Sequence, residues 1–244
     1  MLIAFMSDIH GNLPSLEAAV TDAESHGAEQ IIVAGDITGY GPFPNDVCSF
    51  LKKKCISAIM GNYDQKVIEV MKQGMDATDG MKKKKQEILI WTLKHISAQN
   101  RRYLSGLPQH LDMKTTGGEK ILVVHGSPVS MDDTIYPSIT KRGLKEKIGD
   151  AHPEILVCGH THIPFVKHID GILVVNCGST GYPVDGDTRP SYALVQTKSN
   201  AAPSGRIIRF DYDIGRTIRA IEKTSLPKNL RKDFSTGAKR RFLQ

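Results

Sequence analysis

The run Leu2-Ile3-Ala4-Phe5-Met6-Ser7-Asp8-Ile9-His10-Gly11-Asn12 carries an apolar stretch straight into two metal-seeking side chains set one residue apart. Four later segments have the same form. Ile31-Ile32-Val33-Ala34 leads to Gly35-Asp36, and Ile56-Ser57-Ala58-Ile59-Met60 leads to Gly61-Asn62-Tyr63-Asp64. Ile121-Leu122-Val123-Val124 leads to His125-Gly126-Ser127, and Ile155-Leu156-Val157-Cys158 leads to Gly159-His160-Thr161-His162. Short apolar runs of this kind read as buried strands, and open α/β sheets gather ligands at the carboxyl ends of their strands. Five strand tips are therefore expected to point at one place.

Between these strands the apolar spacing changes to three and four. Leu13, Leu16, Ala19, Val20 and Ala23 predict a helix over 13–26 with Pro14 in its first turn. Val47, Phe50 and Leu51 predict a second helix, Val67, Val70 and Met71 a third, and Leu89, Leu93 and Ile96 a fourth over 81–98. Trp91 belongs to the core or to a lid. From Pro108 onward strands are expected at 109–115, 119–124, 163–168, 172–176, 191–197 and 206–213, with helices at 138–149 and near 214–222. The pattern is α/β, with two packed sheets and helices outside.

Composition bounds the rest. With 244 residues, 40% hydrophobic and 24% charged, the chain has the makeup of an ordinary globular domain. No apolar stretch approaches the ~20 residues of a membrane span and no signal peptide is evident, so a cytoplasmic protein is expected. Cys48, Cys55, Cys158 and Cys177 show no Cys-x-x-Cys spacing and are expected to be small core residues. The net charge of +6 resides in residues 223–244, where seven Lys/Arg face one Asp. A single domain over 1–222 followed by a basic tail is the expected organisation. Lys239-Arg240-Arg241 could touch nucleic acid, but a solvated terminus is the simpler reading.

Chemistry resides at the strand tips. Asp8 and His10, like His160 and His162, are separated by one residue, so in extended backbone each pair would project to one side. Asp36 and Asn62 add oxygen donors and His125 a nitrogen. Seven candidate ligands exceed what one tetrahedral ion uses. Two ions with four protein contacts each need one shared group, for which Asp36 is the natural carboxylate. Imidazole, carboxylate and amide without thiolate favour manganese, iron, cobalt, nickel or zinc over calcium or magnesium, with manganese the first choice.

The order Asp-x-His, Gly-Asp, Gly-Asn-x-Asp, His-Gly, Gly-His-x-His resembles the calcineurin-like metallophosphoesterases, most closely their compact bacterial and archaeal phosphodiesterase branch. The resemblance spans about residues 1–197. It implies a four-layer αββα sandwich of two mixed sheets and a dinuclear centre, with Asp8, His10, Asp36 and His162 holding one ion and Asp36, Asn62, His125 and His160 the other. Asn176-Cys177-Gly178-Ser179 resembles the late strand-end turn that borders the family's site. Asn62 would also help hold the phosphate, and Asn12 and Asp64 are further candidates for substrate contact and catalysis.

One position departs from the family. Many relatives place a histidine between the Asn and Asp of the third motif, where this chain has Tyr63. A poor alkoxide leaving group benefits from a neighbouring acid; Tyr63 is a candidate catalytic residue that could donate a hydrogen bond, but with an ordinary pKa near ~10 it is a sluggish acid. Hydrolysis of phosphodiesters is therefore expected over monoesters, on a small phosphoester or nucleotide substrate. The alternatives are cleavage of a nucleotide pyrophosphate bond, phosphomonoester hydrolysis, and a non-catalytic metal-binding scaffold for protein interaction.

Overall fold

In the computed structural model, which describes residues 1–198 and 201–237, the opening apolar run becomes strand β1 (Leu2–Met6). Its two faces are both buried, Ile3 and Phe5 on one side and Ala4 and Met6 on the other. A strand covered on both faces belongs inside a layered structure. Helix α1 (Leu13–Ser25) follows, capped by the Asn12 side chain, which accepts from the Ser15 amide at 3.4 Å, and with Pro14 in its first turn. Then come β2 (Gln30–Val33), α2 (Pro44–Lys53), the two-residue β3 (Ser57–Ala58), α3 (Asn62–Gln73), α4 (Lys83–His95) and α5 (Ala98–Ser105). The second half contains β4 (His110–Lys114), β5 (Lys120–Val124), α6 (Lys141–Ile148), β6 (Ile155–Cys158), β7 (Phe165–Ile169) and β8 (Ile172–Asn176). It closes with β9 (Ser191–Lys198), β10 (Ala201–Arg209), α7 (Ile214–Glu222) and α8 (Leu230–Thr236).

The strands form two mixed five-stranded sheets, ordered β10-β9-β1-β2-β3 and β4-β5-β6-β8-β7. β1 runs parallel to β2 and antiparallel to β9, while β5, β6 and β8 run parallel. The sheets face each other across Ile3, Phe5, Ile32 and Val195 from the first and Ile121, Val123, Val157 and Val175 from the second. The opposite face of the first sheet packs on all the helices but one, through residues such as Leu16, Leu51, Val67 and Leu89. α6 covers the outer face of the second sheet with Leu144 against Leu122, Val124 and Leu156. This is the expected four-layer arrangement, with its helices unevenly shared.

Several local expectations need correction. The predicted helix over 81–98 is two, because Ile96 turns to extended backbone and Ser97 caps α5 with its hydroxyl on the Asn100 amide. Met71 is 40% exposed, so it does not share the buried face of Val67 and Val70. Cys55 is exposed, in a left-handed turn, while the other three thiols are buried. Trp91 belongs to the core and stacks on His95 at 4.1 Å. The stretch expected as tail carries α8, whose Leu230 and Phe234 are buried in the helix-side core with Leu226 before them. Lys239, Arg240 and Arg241 lie outside the described residues. No helix among the described residues is long and apolar enough to cross a membrane.

Candidate metal centre

Backbone pairing does not stop where β1 and β2 end. The Asp8 amide donates to Gly35 O at 3.0 Å, His10 to Asp36 O at 2.9 Å and Gly11 to Ile37 O at 2.9 Å. The two loops therefore descend together, yet not as extended chain. Asp8, His10, Asp36, His160 and His162 all have positive φ, between 49° and 63°, a left-handed conformation costly for residues with a Cβ. The idea that the i, i+2 pairs share a side through extended backbone is thus replaced by alternating left-handed residues, which turn both side chains of each pair inward. Two glycines make this approach feasible. A Cβ on Gly61 would run into the amide and carboxylate of Asp36, and one on Gly159 would strike Ser7 Oγ.

The late strand-end turn fixes the first loop from the other side. Ser179 Oγ donates to Asp8 O at 2.8 Å, and the amides of Thr180 and Gly181 donate to Ser7 O and Asp8 O at 2.8 and 3.0 Å. Tyr182 O accepts from His162 Nδ1 at 2.6 Å, and the Tyr182 hydroxyl donates to Asp233 of α8 at 2.8 Å. Asp233 is also ion-paired with Lys84 of α4.

All seven candidate ligands converge. The donor atoms of Asp8, His10 and His162 lie within 4.8 Å of one another, as do those of Asp8, Asp36 and His125. Asp36 faces both groups, with Oδ2 3.6 Å from His10 Nε2 and Oδ1 3.5 Å from His125 Nε2. Asn62 Oδ1 stands 3.0 Å from His125 Nε2 and 3.2 Å from His160 Nδ1.

Proton accounting tests whether this set suits a cation. His10, His125 and His162 each point Nδ1 at a backbone carbonyl, of Thr38, Ala34 and Tyr182 at 3.1, 2.8 and 2.6 Å. A carbonyl only accepts, so Nδ1 holds the proton and a neutral ring has a bare Nε2. Yet His10 Nε2 and His162 Nε2 lie 3.1 Å apart. Asp8 Oδ2 is satisfied by Ser7 Oγ and the His160 amide, whereas Oδ1 is buried without a hydrogen-bond partner 3.0 Å from His162 Nε2. Lone pairs meeting lone pairs in a buried pocket are satisfied by cations. The residues fit divalent metal ions.

The electrostatics carry the same message. Burial pushes Asp36 up to about 8, with Asp8 and Asp64 adding to the rise against the pull of His125. Burial also opposes the charge on Asp8, but His162, then His125 and His10, hold it below the usual carboxylate range. Burial and His162 drive His10 well below the ordinary imidazole value, and burial and His125 lower His160 to about 4. Burial works against a charge on His125 as well, but Asp36 and Asp8 outweigh it and raise its pKa.

The remaining candidates sit differently. Asn12 is fully buried and spends its amide on the fold, donating to Gly181 O at 2.7 Å and Tyr212 Oη at 3.2 Å and accepting from Ser15 N and Thr217 Oγ1. Asp64 is fully buried too and accepts from the amides of Ile37, Thr38 and Gly61 and from the Thr38 hydroxyl. Tyr63 packs edge-on to His10 at 5.9 Å and beside Tyr40 at 5.4 Å. Its buried hydroxyl has no hydrogen-bond partner among the described residues. Sequence reasoning missed Asp132, an exposed loop residue bonded to Asn62 Nδ2 at 2.9 Å, which no periodicity or motif marks.

Known proteins are similar to this chain along nearly its whole length. The uncharacterized protein MJ0912 of Methanocaldococcus jannaschii is 29% identical, across 93% of this chain and 94% of that protein. A metallophosphoesterase from Sphaerobacter thermophilus superposes with a TM-score of 0.79 at 26% identity, covering 97% of this chain and 99% of its own. The hypothetical protein PH1004 of Pyrococcus horikoshii OT3 reaches 0.86 at 25% identity, with 98% and 99% covered. The calcineurin-like phosphoesterase superfamily domain matches residues 1–200, and the chain belongs to that family.

Proposed function

We propose that this protein hydrolyses phosphoesters with two divalent transition-metal ions, and that it prefers phosphodiesters to monoesters. The observation that supports the dinuclear reading is the meeting of His10 Nε2 and His162 Nε2 at 3.1 Å, beside an Asp8 oxygen without a hydrogen-bond partner, at one buried centre. Asp8, His10, Asp36 and His162 would hold one ion, and Asp36, Asn62, His125 and His160 the other. Bound ions there would polarise phosphoryl oxygens and supply hydroxide at neutral pH. Manganese is the first choice within an oxygen and nitrogen donor set. The Cys158 side chain is no competing ligand, since it packs with Leu122, Leu144 and Leu156 in the core on the outer face of the second sheet.

The diester preference rests on Tyr63. Burial, with Tyr40 and Asp36 close by, raises its hydroxyl well above the ordinary tyrosine value. It therefore holds its proton at neutral pH too firmly to hand it to a poor leaving group. An aryl leaving group needs less help. Asn12 and Asp64 hold the loops on which the ligands ride. The substrate is taken to be a small phosphoester or nucleotide in the cytoplasm, where four unpaired cysteines stay reduced.

Incubating purified protein with manganese and an aryl phosphodiester, alongside the matching monoester, tests this. Metal-stimulated diester cleavage outpacing the monoester is expected. Faster monoester cleavage overturns the substrate preference, and no release from either overturns catalysis in favour of a scaffold.

A further inference from the structure

Asn62 can face the centre with either a donor or an acceptor, according to which way its amide is turned. Its oxygen stands 3.0 Å from His125 Nε2, and in the neutral ring, whose Nδ1 donates to Ala34 O at 2.8 Å, that nitrogen is an acceptor. Were the amide turned over, Nδ2 would donate to that nitrogen, and the pair would be satisfied with no cation at all. What opposes the turn is Asp132. Its Oδ1 accepts from Asn62 Nδ2 at 2.9 Å, and a carboxylate has nothing to donate to an amide oxygen placed there instead.

Asp132 reaches Asn62 from the other half of the molecule. Asn62 opens α3 beside the first sheet, while Asp132 lies on the loop between β5 and α6. That loop is itself held: Ser127 N donates to Ser130 O at 2.9 Å, Asp132 N donates to Ser130 Oγ at 3.2 Å, and Asp133 is ion-paired with Lys147 of α6. An exposed acid on a tied loop is thus delivered to the amide rather than left in water.

We propose that Asp132 is a positioning residue that keeps the Asn62 oxygen toward the cation, and that without it the amide turns and the second ion's place closes on itself. This rests on the dinuclear reading above. Partners behind metal ligands typically change affinity by about 10–100-fold when removed.

The test is calorimetric titration of the metal-free protein with manganese alone, comparing wild type, Asp132→Ala, Asp132→Asn, Asn62→Asp and the Asn62→Asp/Asp132→Ala pair. Asp132→Ala is expected to weaken one of two binding events by about 10–100-fold. Asp132→Asn keeps the size but supplies an NH2 that can donate to a turned Asn62 oxygen, so it no longer opposes the turn and should weaken the same event. In the Asn62→Asp background, where oxygen faces both ways, Asp132→Ala should cost nothing. Native affinity for both ions in Asp132→Ala overturns the proposal, as does an equal loss in both backgrounds, which would mean that Asp132 acts through its charge alone. Failure of the dinuclear reading is seen separately, in wild type that takes up fewer than two ions, and the proposal falls with it.

Discussion

Replacing Asp64 separates a structural acid from a catalytic one. Its Oδ1 accepts from the Thr38 amide at 2.9 Å and the Thr38 hydroxyl at 2.8 Å, and its Oδ2 accepts from the amides of Ile37 at 3.0 Å and Gly61 at 3.2 Å. In Asp64→Asn the best arrangement leaves the amide oxygen on Ile37 and Gly61 and turns the new NH2 toward Thr38. The Thr38 hydroxyl can rotate to accept, so one backbone N–H is orphaned. A buried orphan costs about 1–3 kcal/mol, and burial already raises the Asp64 pKa, so losing the charge recovers part of the damage. The net expectation is about 2 kcal/mol, or roughly 4–8 °C in Tm for a chain of this size. Asp64→Ala strands all four donors and should cost about 4–6 kcal/mol, a large share of the ~5–15 that domains possess. Urea unfolding of the metal-free protein, followed by circular dichroism, reads both values free of metal linkage. An Asp64→Asn protein of native stability that no longer cleaves phosphoesters would refute the structural argument and place Asp64 in the chemistry.

Other perturbations act at the centre itself. Asp36→Asn removes the carboxylate that faces both ligand groups, so it should abolish hydrolysis and weaken both ions; near-normal turnover under saturating manganese would contradict the shared-ligand assignment. Because Asp36 stands at about 8, the metal-free protein holds a proton there at pH 7 that a cation must displace. Manganese binding should release protons, and affinity should climb with pH until about 8; calorimetry in buffers of different ionisation enthalpy reads the proton count, and uptake would contradict the sign. Gly61→Ala drives a Cβ into Asp36 and should eliminate metal binding while the sheets still form, a combination that metal titration and circular dichroism report together. Tyr63→His restores an acid that titrates near neutrality and should raise monoester turnover by about 10²-fold relative to diester turnover, measured on the paired aryl substrates.

Much of the fold was legible because its strands are apolar on both faces and end in residues with little structural reason to be there. Leu2–Met6 and Ile155–Cys158 stand out on composition alone, and Asp8, His10, His160 and His162 follow them at once. The left-handed backbone of those residues was not legible, since positive φ at Asp or His has no periodic signature and depends on neighbours such as Gly61 and Gly159 brought in from afar. α8 was hidden for another reason. Leu230 and Phe234 are its only large apolar residues among charged neighbours, too few to reveal a helix in sequence, yet both are buried. Asn12 showed the opposite failure. Its place beside Asp8 and His10 suggested substrate, while its amide is consumed by Gly181, Tyr212 and Thr217, none of them near it in sequence.

The same long-range ties bear on how the protein comes into being. The loop that supplies the first two ligands is latched by Thr217 of α7 through Asn12, and the carbonyl that orients His162 belongs to Tyr182, anchored on Asp233. Every ligand has left the ribosome some fifty residues before these latches exist. A nascent chain therefore carries the complete donor set in unsettled form, and mature geometry arrives only once α7 and α8 have been made. Assembly of the candidate metal centre is in this way deferred until the body of the molecule has closed around it.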